Sequence, residues 1–242
     1  MEQKLYLQNR KLEDSHWWFV GRRRIIRQVL TSLNVPRKMQ ILEVGCGTGG
    51  NLGLLSEFGE VIGVEPEFEA AKMARARNIC EVCVGGFPDD LPFTGQQFDV
   101  IILLDVLEHL DDDLSALKAL RSLLSREGNL ILTVPAFQFL WTVRDEQHHH
   151  RRRYGASHLS SLIWQAGFRI MHLTYFNFWL FPIEAVRRLI RKLVPSDVVG
   201  YDLRVHGVVI NRLLEAVFAS ERYLVTHMRI PYGLSLLAII KK

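Results

Sequence analysis

Short apolar runs alternate with amphipathic segments between residues 39 and 134, and this alternation is what most restricts the fold that the chain can adopt. Stretches with helical spacing follow the first, second and fourth runs. Parallel strands that are buried on both faces give such continuous apolar runs, and their helical crossovers cover the two faces of the sheet. The five runs read QILEV, EVIGV, CEVCV, FDVIILL and NLILTV.

Two further apolar runs extend this pattern towards the C-terminus. FRIMHLTY follows a helical stretch, SHLSSLIWQAG, and SLLAII lies close to the end of the chain. The sequence therefore predicts an α/β fold with a doubly wound, mostly parallel seven-stranded sheet.

The pattern divides the chain into four parts. Residues 1–38 have helical spacing and are predicted to form an N-terminal helical cap. Residues 39–177 carry the first six strands and form the core. Residues 178–230 interrupt the alternation as a helical insertion, and residues 231–242 return to the sheet as its last strand.

The insertion begins with an amphipathic helix, PIEAVRRLIRKLV, and a second helix is expected over about residues 205–226. The proline suits a first helical turn. The insertion either caps the substrate site or lies on a membrane surface. In the first helix, the predicted apolar face holds Ile183, Val186, Leu189, Ile190 and Leu193, and the predicted basic face holds Arg187, Arg188, Arg191 and Lys192.

Composition suits one globular domain, since 48% of the 242 residues are hydrophobic and 23% are charged. No apolar run has the roughly 18 to 20 residues that cross a bilayer, and the first residues lack the layout of a secretory signal. We expect a cytoplasmic protein, with peripheral contact at the inner membrane surface as an alternative. Three cysteines are an odd number for a disulfide framework, so we expect reduced thiols.

The formal net charge of +4 is mild, and the basic residues occur in local clusters. Such clusters favour a small anionic ligand or an anionic membrane surface over a long nucleic-acid track, so no nucleic-acid partner is expected. Each cluster alone is also compatible with a solvated face. The clusters lie at residues 22–24, 151–153 and 187–192.

The stretch ILEVGCGTGGN joins a buried strand to a helix through Gly45, Gly47 and Gly49. Glycines here let backbone amides approach a ligand closely. Glu65 ends the next strand and is placed to accept hydrogen bonds from ribose hydroxyls. Because Gly45, Gly47 and Gly50 also satisfy the dinucleotide pattern GxGxxG, an NAD-dependent oxidoreductase is an alternative.

The same stretch resembles the first motif of class I S-adenosylmethionine-dependent methyltransferases, with Glu43 ahead of the glycines. LPFTGQQFDVIILLDVLEHL is similar to the third-to-fourth-strand region of that family, and REGNLILTVP is similar to its fifth strand. The resemblance covers residues 39–177 and implies a Rossmann-like methyltransferase fold with S-adenosyl-L-methionine as the cofactor.

The resemblance implies a role for each matching residue of the cofactor site. Gly45, Cys46, Gly47 and Gly49 would hold the methionine part with the help of Glu43, and Glu65 with Pro66 would hold the ribose. Asp105 and Val106 would lie beside the cofactor at the end of the fourth strand, although Asp105 also suits a helix N-cap.

The adenine region departs from the family. Many members carry GDA after the third strand, whereas this chain has GGFPDD. The adenine contact is therefore expected from backbone amides near Gly86, from stacking on Phe87, or from Asp89.

The stretch DEQHHHRRRYG leaves the fifth strand at the carboxyl edge of the sheet, where ligands bind in such folds. The chain resembles a bacterial methyltransferase subgroup, type 11/12-like, that carries a start like HWWFVGRRR, a His-x-Arg-Arg-Tyr motif and an end like PYGLSLLAIIKK. The matching residues are His16, Trp17, Phe19, Arg22, Arg23, Trp141, Asp145, His150, Arg152, Arg153, Tyr154, Pro231, Gly233 and Ser235.

This match predicts which residues line the side of the site where the methyl acceptor binds. His150 and Tyr154 are the candidate catalytic residues, with His109 as the second choice of base. Trp17, Arg22, Trp141, Arg152 and Arg153 are the candidate substrate-binding residues, and His148 and His149 are expected to face solvent. A nucleic-acid patch and a solvated loop are alternatives. No metal site is predicted, because neighbouring histidines point in different directions and no carboxylate lies at a recognised interval.

Methyl transfer from a sulfonium is an in-line displacement, so the protein mainly aligns the acceptor and excludes water. The arginines predict a small or lipid-like acceptor that is anionic. The alternative to an enzymatic function is a non-catalytic binding or membrane-docked module that keeps the cofactor fold. The sequence does not predict the oligomeric state.

Overall fold

The computed structural model describes residues 3–33, 38–88, 90–93, 95–193 and 207–242. Its strands are β1 (Met39–Val44), β2 (Gly59–Glu65), β3 (Glu81–Val84), β4 (Phe98–Leu104), β5 (Leu124–Pro135), β6 (Arg169–Phe176) and β7 (Ser235–Lys241). Its α-helices are α1 (Gln3–Leu12), α2 (Trp17–Ser32), α3 (Leu52–Leu55), α4 (Phe68–Arg75), α5 (Asp113–Leu123), α6 (Val143–Gln147), α7 (Ala156–Gln165), α8 (Phe181–Leu193), α9 (Val208–Ser220) and α10 (Arg222–Val225).

The seven strands form one sheet in the order β3-β2-β1-β4-β5-β7-β6. β1 to β5 pair in parallel, and β7 is inserted antiparallel between β5 and β6. The predicted doubly wound, mostly parallel seven-stranded sheet is confirmed. The order reverses between β1 and β4, and the crevice at such a reversal is where ligands bind in open α/β sheets.

Each face of the sheet has its own apolar core. On one face, Leu117 and Leu120 of α5 and Ile163 of α7 are fully buried among residues of the central strands. On the other face, Ile25 of α2 and Phe218 of α9 are fully buried in a second cluster. The sheet is therefore covered on both sides, as the continuous apolar runs predict.

The N-terminal part is an integral layer of this second core. The side chains of Ile25, Ile26, Val29 and Leu30 of α2 are at most 1% exposed. The ring of Phe218 lies edge-on to Trp17 at 5.8 Å between centroids. The first helices and the insertion thus pack on each other and on the sheet.

The first insertion helix, α8, exposes its apolar face, whereas an ordinary surface helix buries that face. Its apolar residues Ile183, Val186 and Ile190 are 70%, 56% and 54% exposed. Arg188, on the basic side of the predicted helix, instead donates to the Leu140 carbonyl at 2.7 Å. The side chains of Leu189, Arg191, Lys192 and Leu193, and the expected helix start at residue 205, lie outside the described part of the structure.

Within the described residues, no helix is both long enough and apolar enough to pass through a bilayer.

Candidate active site

A cavity of about 980 Å³ opens at the carboxyl ends of the parallel strands. The loop after β1, the end of β2, the turn after β4 and the loop after α6 contribute its walls, and helices α1, α2 and α8 close its sides. The cavity lies beside the reversal of strand order. Fourteen of the predicted site residues line it: Trp17, Arg22, Gly45, Cys46, Gly47, Glu65, Pro66, Gly86, Phe87, Asp105, Val106, His109, His150 and Arg153.

The glycine loop has the backbone geometry that its sequence predicts. Gly45 and Gly47 have positive φ angles of 73° and 56°, which side-chain-bearing residues rarely adopt. A Cβ at Gly47 would meet nothing within 4 Å, so this backbone faces open cavity. Gly49 has a different role, because a Cβ there would lie 3.1 Å from Ala74 of α4. Gly49 therefore allows close helix packing and does not line the cavity.

Glu65 is held at the end of β2 by three donors. Its carboxylate accepts hydrogen bonds from the backbone N–H of Gly47 at 2.8 Å, from the Tyr6 hydroxyl at 3.2 Å and from the backbone N–H of Glu67 at 3.2 Å. Burial raises the pKa of Glu65, although these three hydrogen bonds oppose the shift. The carboxylate is thus fixed beside the glycine loop, where ribose hydroxyls can reach it.

Glu43 lies beneath the loop and does not line the cavity. It is 1% exposed and accepts a hydrogen bond from the side-chain amide of Asn51 at 2.8 Å, while its other oxygen has no partner. Burial raises its pKa to about 7. Glu43 therefore supports the loop through Asn51 and does not itself face the cavity.

Gly86 and Phe87, two of the predicted adenine contacts, line the cavity. Asp89, the third, lies outside the described residues. The open backbone at Gly47 and the Glu65 carboxylate beside it fit S-adenosylmethionine.

The comparison with known proteins decides the family. The model of a family described as a methyltransferase domain matches residues 19–173, which is more than half of the chain. The chain belongs to the methyltransferase domain family. The predicted membership in the class I S-adenosylmethionine-dependent methyltransferases is thereby confirmed.

The chain is also similar to individual curated proteins. It is 28% identical over 160 residues to a probable S-adenosylmethionine-dependent methyltransferase of Mycobacterium tuberculosis, covering 65% of this chain and 57% of the relative. It is 30% identical over 124 residues to an uncharacterised protein of Methanocaldococcus jannaschii, covering 50% of this chain and 58% of the relative. The chain therefore spans somewhat more than half the length of these curated relatives.

Solved structures show the same fold at low identity. The protein bound to the Trm112 methyltransferase activator of Haloferax volcanii superposes with a TM-score of 0.64 at 18% identity, covering 98% of this chain and 94% of that one. A plantazolicin methyltransferase, solved with a substrate analogue and S-adenosylhomocysteine, gives 0.63 at 12% identity, covering 99% and 90%.

The side of the cavity where the acceptor is predicted to bind is organised by Asp145 at the start of α6. Asp145 is 1% exposed and contacts His150 Nδ1 at 2.9 Å and the guanidinium of Arg153 at 2.8 Å. It also accepts from the Thr142 backbone N–H at 2.8 Å. Burial alone would raise the pKa of Asp145, but the contacts with His150 and Arg153 bring it below its usual value. Asp145 therefore fixes the orientation of the His150 ring.

Three predicted acceptor-side residues lie outside the cavity, and this corrects the sequence-based placement. Tyr154 is fully buried, and its hydroxyl donates to Asp113 at 2.9 Å. Arg152 donates to the same carboxylate at 2.9 Å and to two backbone carbonyls before α5. The Trp141 indole N–H donates to Glu146 at 3.3 Å. Through their contacts with Asp113, Tyr154 and Arg152 stabilise the loop on the side away from the cavity.

The expectation that His148 and His149 face solvent holds only for His149. His148 is half-buried in the cavity wall, where burial and then the charge of Arg144 lower its pKa to about 3. Burial likewise lowers the pKa of His109 to about 4. Both rings are therefore neutral at physiological pH.

Sequence reasoning missed Glu108, which follows β4 in the stretch DVLEHL. Glu108 is completely buried, and neither of its side-chain oxygens has a hydrogen-bond partner. Burial and then the charge of Asp105 raise its pKa well above the usual value. Glu108, His109 and His150 offer three ligand atoms within 4.8 Å of one another. The sequence spacing did not indicate this group, because its carboxylate comes from a different loop than His150.

Proposed function

We propose that this chain transfers a methyl group from S-adenosyl-L-methionine to an anionic, lipid-like acceptor. The family membership supports the reaction, and the lining of the acceptor side supports the class of acceptor. S-adenosylmethionine supplies an activated methyl group when it is bound, so the residues of the chain need only bind, orient and exclude water.

We assign the cofactor to the glycine-loop end of the cavity. The backbone of Gly45, Cys46 and Gly47 would hold its methionine part, above the buried Glu43. Glu65, followed by Pro66, would accept hydrogen bonds from the ribose hydroxyls. Gly86 and Phe87 would flank the adenine, and Asp105 and Val106 would lie between the cofactor and the acceptor.

The observation that carries the anionic acceptor is Arg144. This residue lines the cavity, and the two carboxylates whose charges act on it most strongly, Asp145 and Glu184, form ion pairs with Arg153 and Arg188 instead. Within the described ranges, no carboxylate forms an ion pair with Arg144. A guanidinium in such a partly desolvated wall favours a carboxylate or phosphate ligand, which it can bind in a bidentate manner.

The lipid-like part of the proposal depends on the apolar residues of the cavity wall. Leu180, Ile183 and Leu214 line the cavity, and Ile183 also belongs to the exposed apolar face of α8. Val208 and Val209, at the start of α9, are 70% and 81% exposed. An apolar surface that continues into a ligand cavity suits an acceptor with a hydrocarbon tail, reached from a membrane surface.

A labelling experiment tests the reaction and the acceptor class. The purified chain is incubated with S-adenosylmethionine carrying a radiolabelled methyl group and a bacterial extract, which is then separated into lipid, small-molecule, protein and RNA fractions. We expect label in the lipid fraction. Arg144→Gln should reduce this transfer at least tenfold with unchanged affinity for S-adenosylhomocysteine, and Arg126→Gln, at an exposed position of β5, should leave transfer intact. Label confined to protein or RNA would overturn the proposed acceptor.

Vesicle sedimentation tests membrane contact separately. Vesicles containing anionic phospholipid should sediment the chain, and Val186→Glu should abolish sedimentation because it places a charge on the apolar face of α8. Trp164→Glu is the matched control, since Trp164 is 76% exposed on α7, which packs on the opposite face of the sheet from α2. Equal losses in both variants would show that the α8 face has no specific role.

A further inference from the structure

The cluster of Glu108, His109 and His150 is formed by two loops that meet in the cavity. Glu108 and His109 lie in the 3-10 turn after β4, and His150 follows α6. The backbone N–H of Arg151 donates to the Glu108 carbonyl at 2.7 Å, which ties the two loops together. The rings of His109 and His150 meet edge-on with 4.8 Å between their centroids. Three side chains of metal-ligand type are thus held in one place by the backbone.

The buried carboxyl group of Glu108 is the feature that indicates a ligand. Its carboxyl group is fully buried, yet neither oxygen has a hydrogen-bond partner among the residues that the structure describes. Its Oε1 lies 3.9 Å from Nε2 of His150, which is too far for a hydrogen bond. A buried carboxyl group without any partner is costly, and such groups in native structures are usually satisfied by a water or an ion. A cation between Glu108 and the two imidazoles would give this carboxylate the partner that it lacks.

His150 is oriented as metal-binding histidines generally are. The Asp145 carboxylate contacts Nδ1 of His150 at 2.9 Å. Nε2 is therefore the ring nitrogen that lies towards Glu108. In metal sites, the histidine ring nitrogen that does not bind the metal typically donates a hydrogen bond to a carboxylate or a backbone carbonyl, which fixes the ring and its tautomer.

We propose that Glu108, His109 and His150 bind a divalent metal ion of the zinc class. Two imidazole nitrogens and one carboxylate favour zinc or a neighbouring transition metal over magnesium or calcium, which prefer ligand sets made of oxygen. Bonds of about 2.0 Å place the ligand atoms of a tetrahedral zinc roughly 3.3 Å apart, so small side-chain rotations complete the geometry. Among the described residues, this is the group of side chains that meets the spacing of a metal site.

Three protein ligands leave one coordination position open, as in catalytic zinc sites. All three residues line the cavity, so this position faces the acceptor side. It suits an oxygen atom of the acceptor, a role that rests on the proposed methyl transfer. Binding of the metal itself does not depend on that function, and the two can be tested independently.

The test measures metal binding without any acceptor. The full chain, stripped with a chelator, is titrated with Zn²⁺ in competition with a chromophoric chelator, and with Co²⁺ while the visible absorption is recorded. We expect one equivalent of metal and the intense Co²⁺ bands of a tetrahedral site. Glu108→Gln, His109→Asn and His150→Asn should each lower the Zn²⁺ affinity at least tenfold. His149→Asn is the matched control, because His149 is exposed, has a φ angle of 58° that asparagine tolerates, and should not alter the affinity.

Folding of each variant is checked by near-UV circular dichroism and by titration with S-adenosylhomocysteine. Glu108→Gln keeps the shape of the side chain, so it tests the site even if a histidine variant does not fold. Absence of stoichiometric metal in the parent chain, or equal affinity in the parent and Glu108→Gln, would overturn the site. Metal binding that follows these expectations while no lipid is labelled would contradict the proposed acceptor and leave the metal site intact.

Discussion

Arg22 of α2 and Asp105 at the end of β4 form an ion pair in the wall of the cavity, with 10% and 26% of their side chains exposed. Asp105 also accepts a hydrogen bond from the Thr133 hydroxyl at 3.0 Å. The pair links the N-terminal layer to the sheet at the position predicted to lie beside the cofactor. We expect Arg22→Ala to lower the free energy of unfolding by about 1 to 3 kcal/mol, because Asp105 loses a charged partner in a partly buried place.

Urea denaturation measures this loss, and α2 provides its own control. Arg27 pairs with Glu57 on the surface, where 48% and 51% of the two side chains are exposed. Solvent screens such pairs, so Arg27→Ala should cost less than about 1 kcal/mol. Equal losses in the two variants would show that the Arg22–Asp105 pair does not hold the N-terminal layer on the sheet.

Glu65→Gln is expected to weaken the binding of S-adenosylhomocysteine by roughly 10- to 100-fold, or about 1 to 3 kcal/mol. The amide keeps the volume of the side chain but loses the charge that ribose hydroxyls would donate to. Calorimetric titration gives the affinity. Glu60→Gln, at the exposed start of the same strand, should bind as the parent does. Unchanged affinity in Glu65→Gln would remove Glu65 from the cofactor site.

Gly21→Ala is expected to destabilise the fold, although alanine normally stabilises a helix relative to glycine by about 0.5 to 1 kcal/mol. A Cβ at Gly21 would lie 2.6 Å from Cδ1 of Phe218, whose ring is fully buried and cannot move aside. The overpacking should cost about 1 to 3 kcal/mol in a thermal or urea unfolding measurement. In Gly53→Ala, the new Cβ meets Ile79 at an ordinary 3.6 Å, so this control should be neutral or stabilising.

The alternation of apolar runs was sufficient to predict the parallel sheet, because strands buried on both faces carry a local signal. The place of β7 between β5 and β6 has no such signal, since strand order depends on contacts between distant segments. Glu108 was missed for the same reason. Its turn carries an ordinary Glu-His pair, and only the meeting of this turn with the loop after α6 brings His150 beside it.

The arginine loop shows why a motif does not by itself give side-chain directions. Tyr154 forms a β-bridge with Ala136, and in an extended segment successive side chains point to opposite sides. Arg151 and Arg153 therefore line the cavity, while Arg152 and Tyr154 both contact Asp113 behind it. The His-x-Arg-Arg-Tyr match predicts that His150, Arg152, Arg153 and Tyr154 all face the ligand, whereas only His150 and Arg153 of these four line the cavity.

Tyr154→Phe distinguishes a structural role from a catalytic one. Removing the buried hydroxyl deletes its hydrogen bond to Asp113, which should lower the free energy of unfolding by about 1.5 to 3 kcal/mol. The affinity for S-adenosylhomocysteine should stay within about twofold of the parent, because Tyr154 does not line the cavity. Tyr232→Phe is the control, since Tyr232 is 44% exposed and its loss of a hydroxyl should cost little. If the variant kept the parental stability but lost methyl transfer, Tyr154 would have a catalytic role.

Glu221, between α9 and α10, gives the chain a pH-dependent stability. It is fully buried, and it accepts hydrogen bonds from the backbone N–H groups of Asn177 and Trp179. Burial raises its pKa to about 7, well above the value of about 4.3 expected in the unfolded chain. The folded state therefore binds the proton more tightly, so the stability due to this shift is fully present below about pH 4 and is lost as the pH rises through 7.

Comparison with Glu221→Gln isolates this effect, because other titrating groups such as Glu43 are present in both proteins. The free energy of unfolding of the parent, relative to Glu221→Gln, should fall by about 1 to 3 kcal/mol between pH 5 and pH 8. Urea unfolding curves at pH 5, 6, 7 and 8 give this difference. If the two proteins keep a constant difference across that range, the proton on Glu221 does not contribute to the docking of α10 on β6.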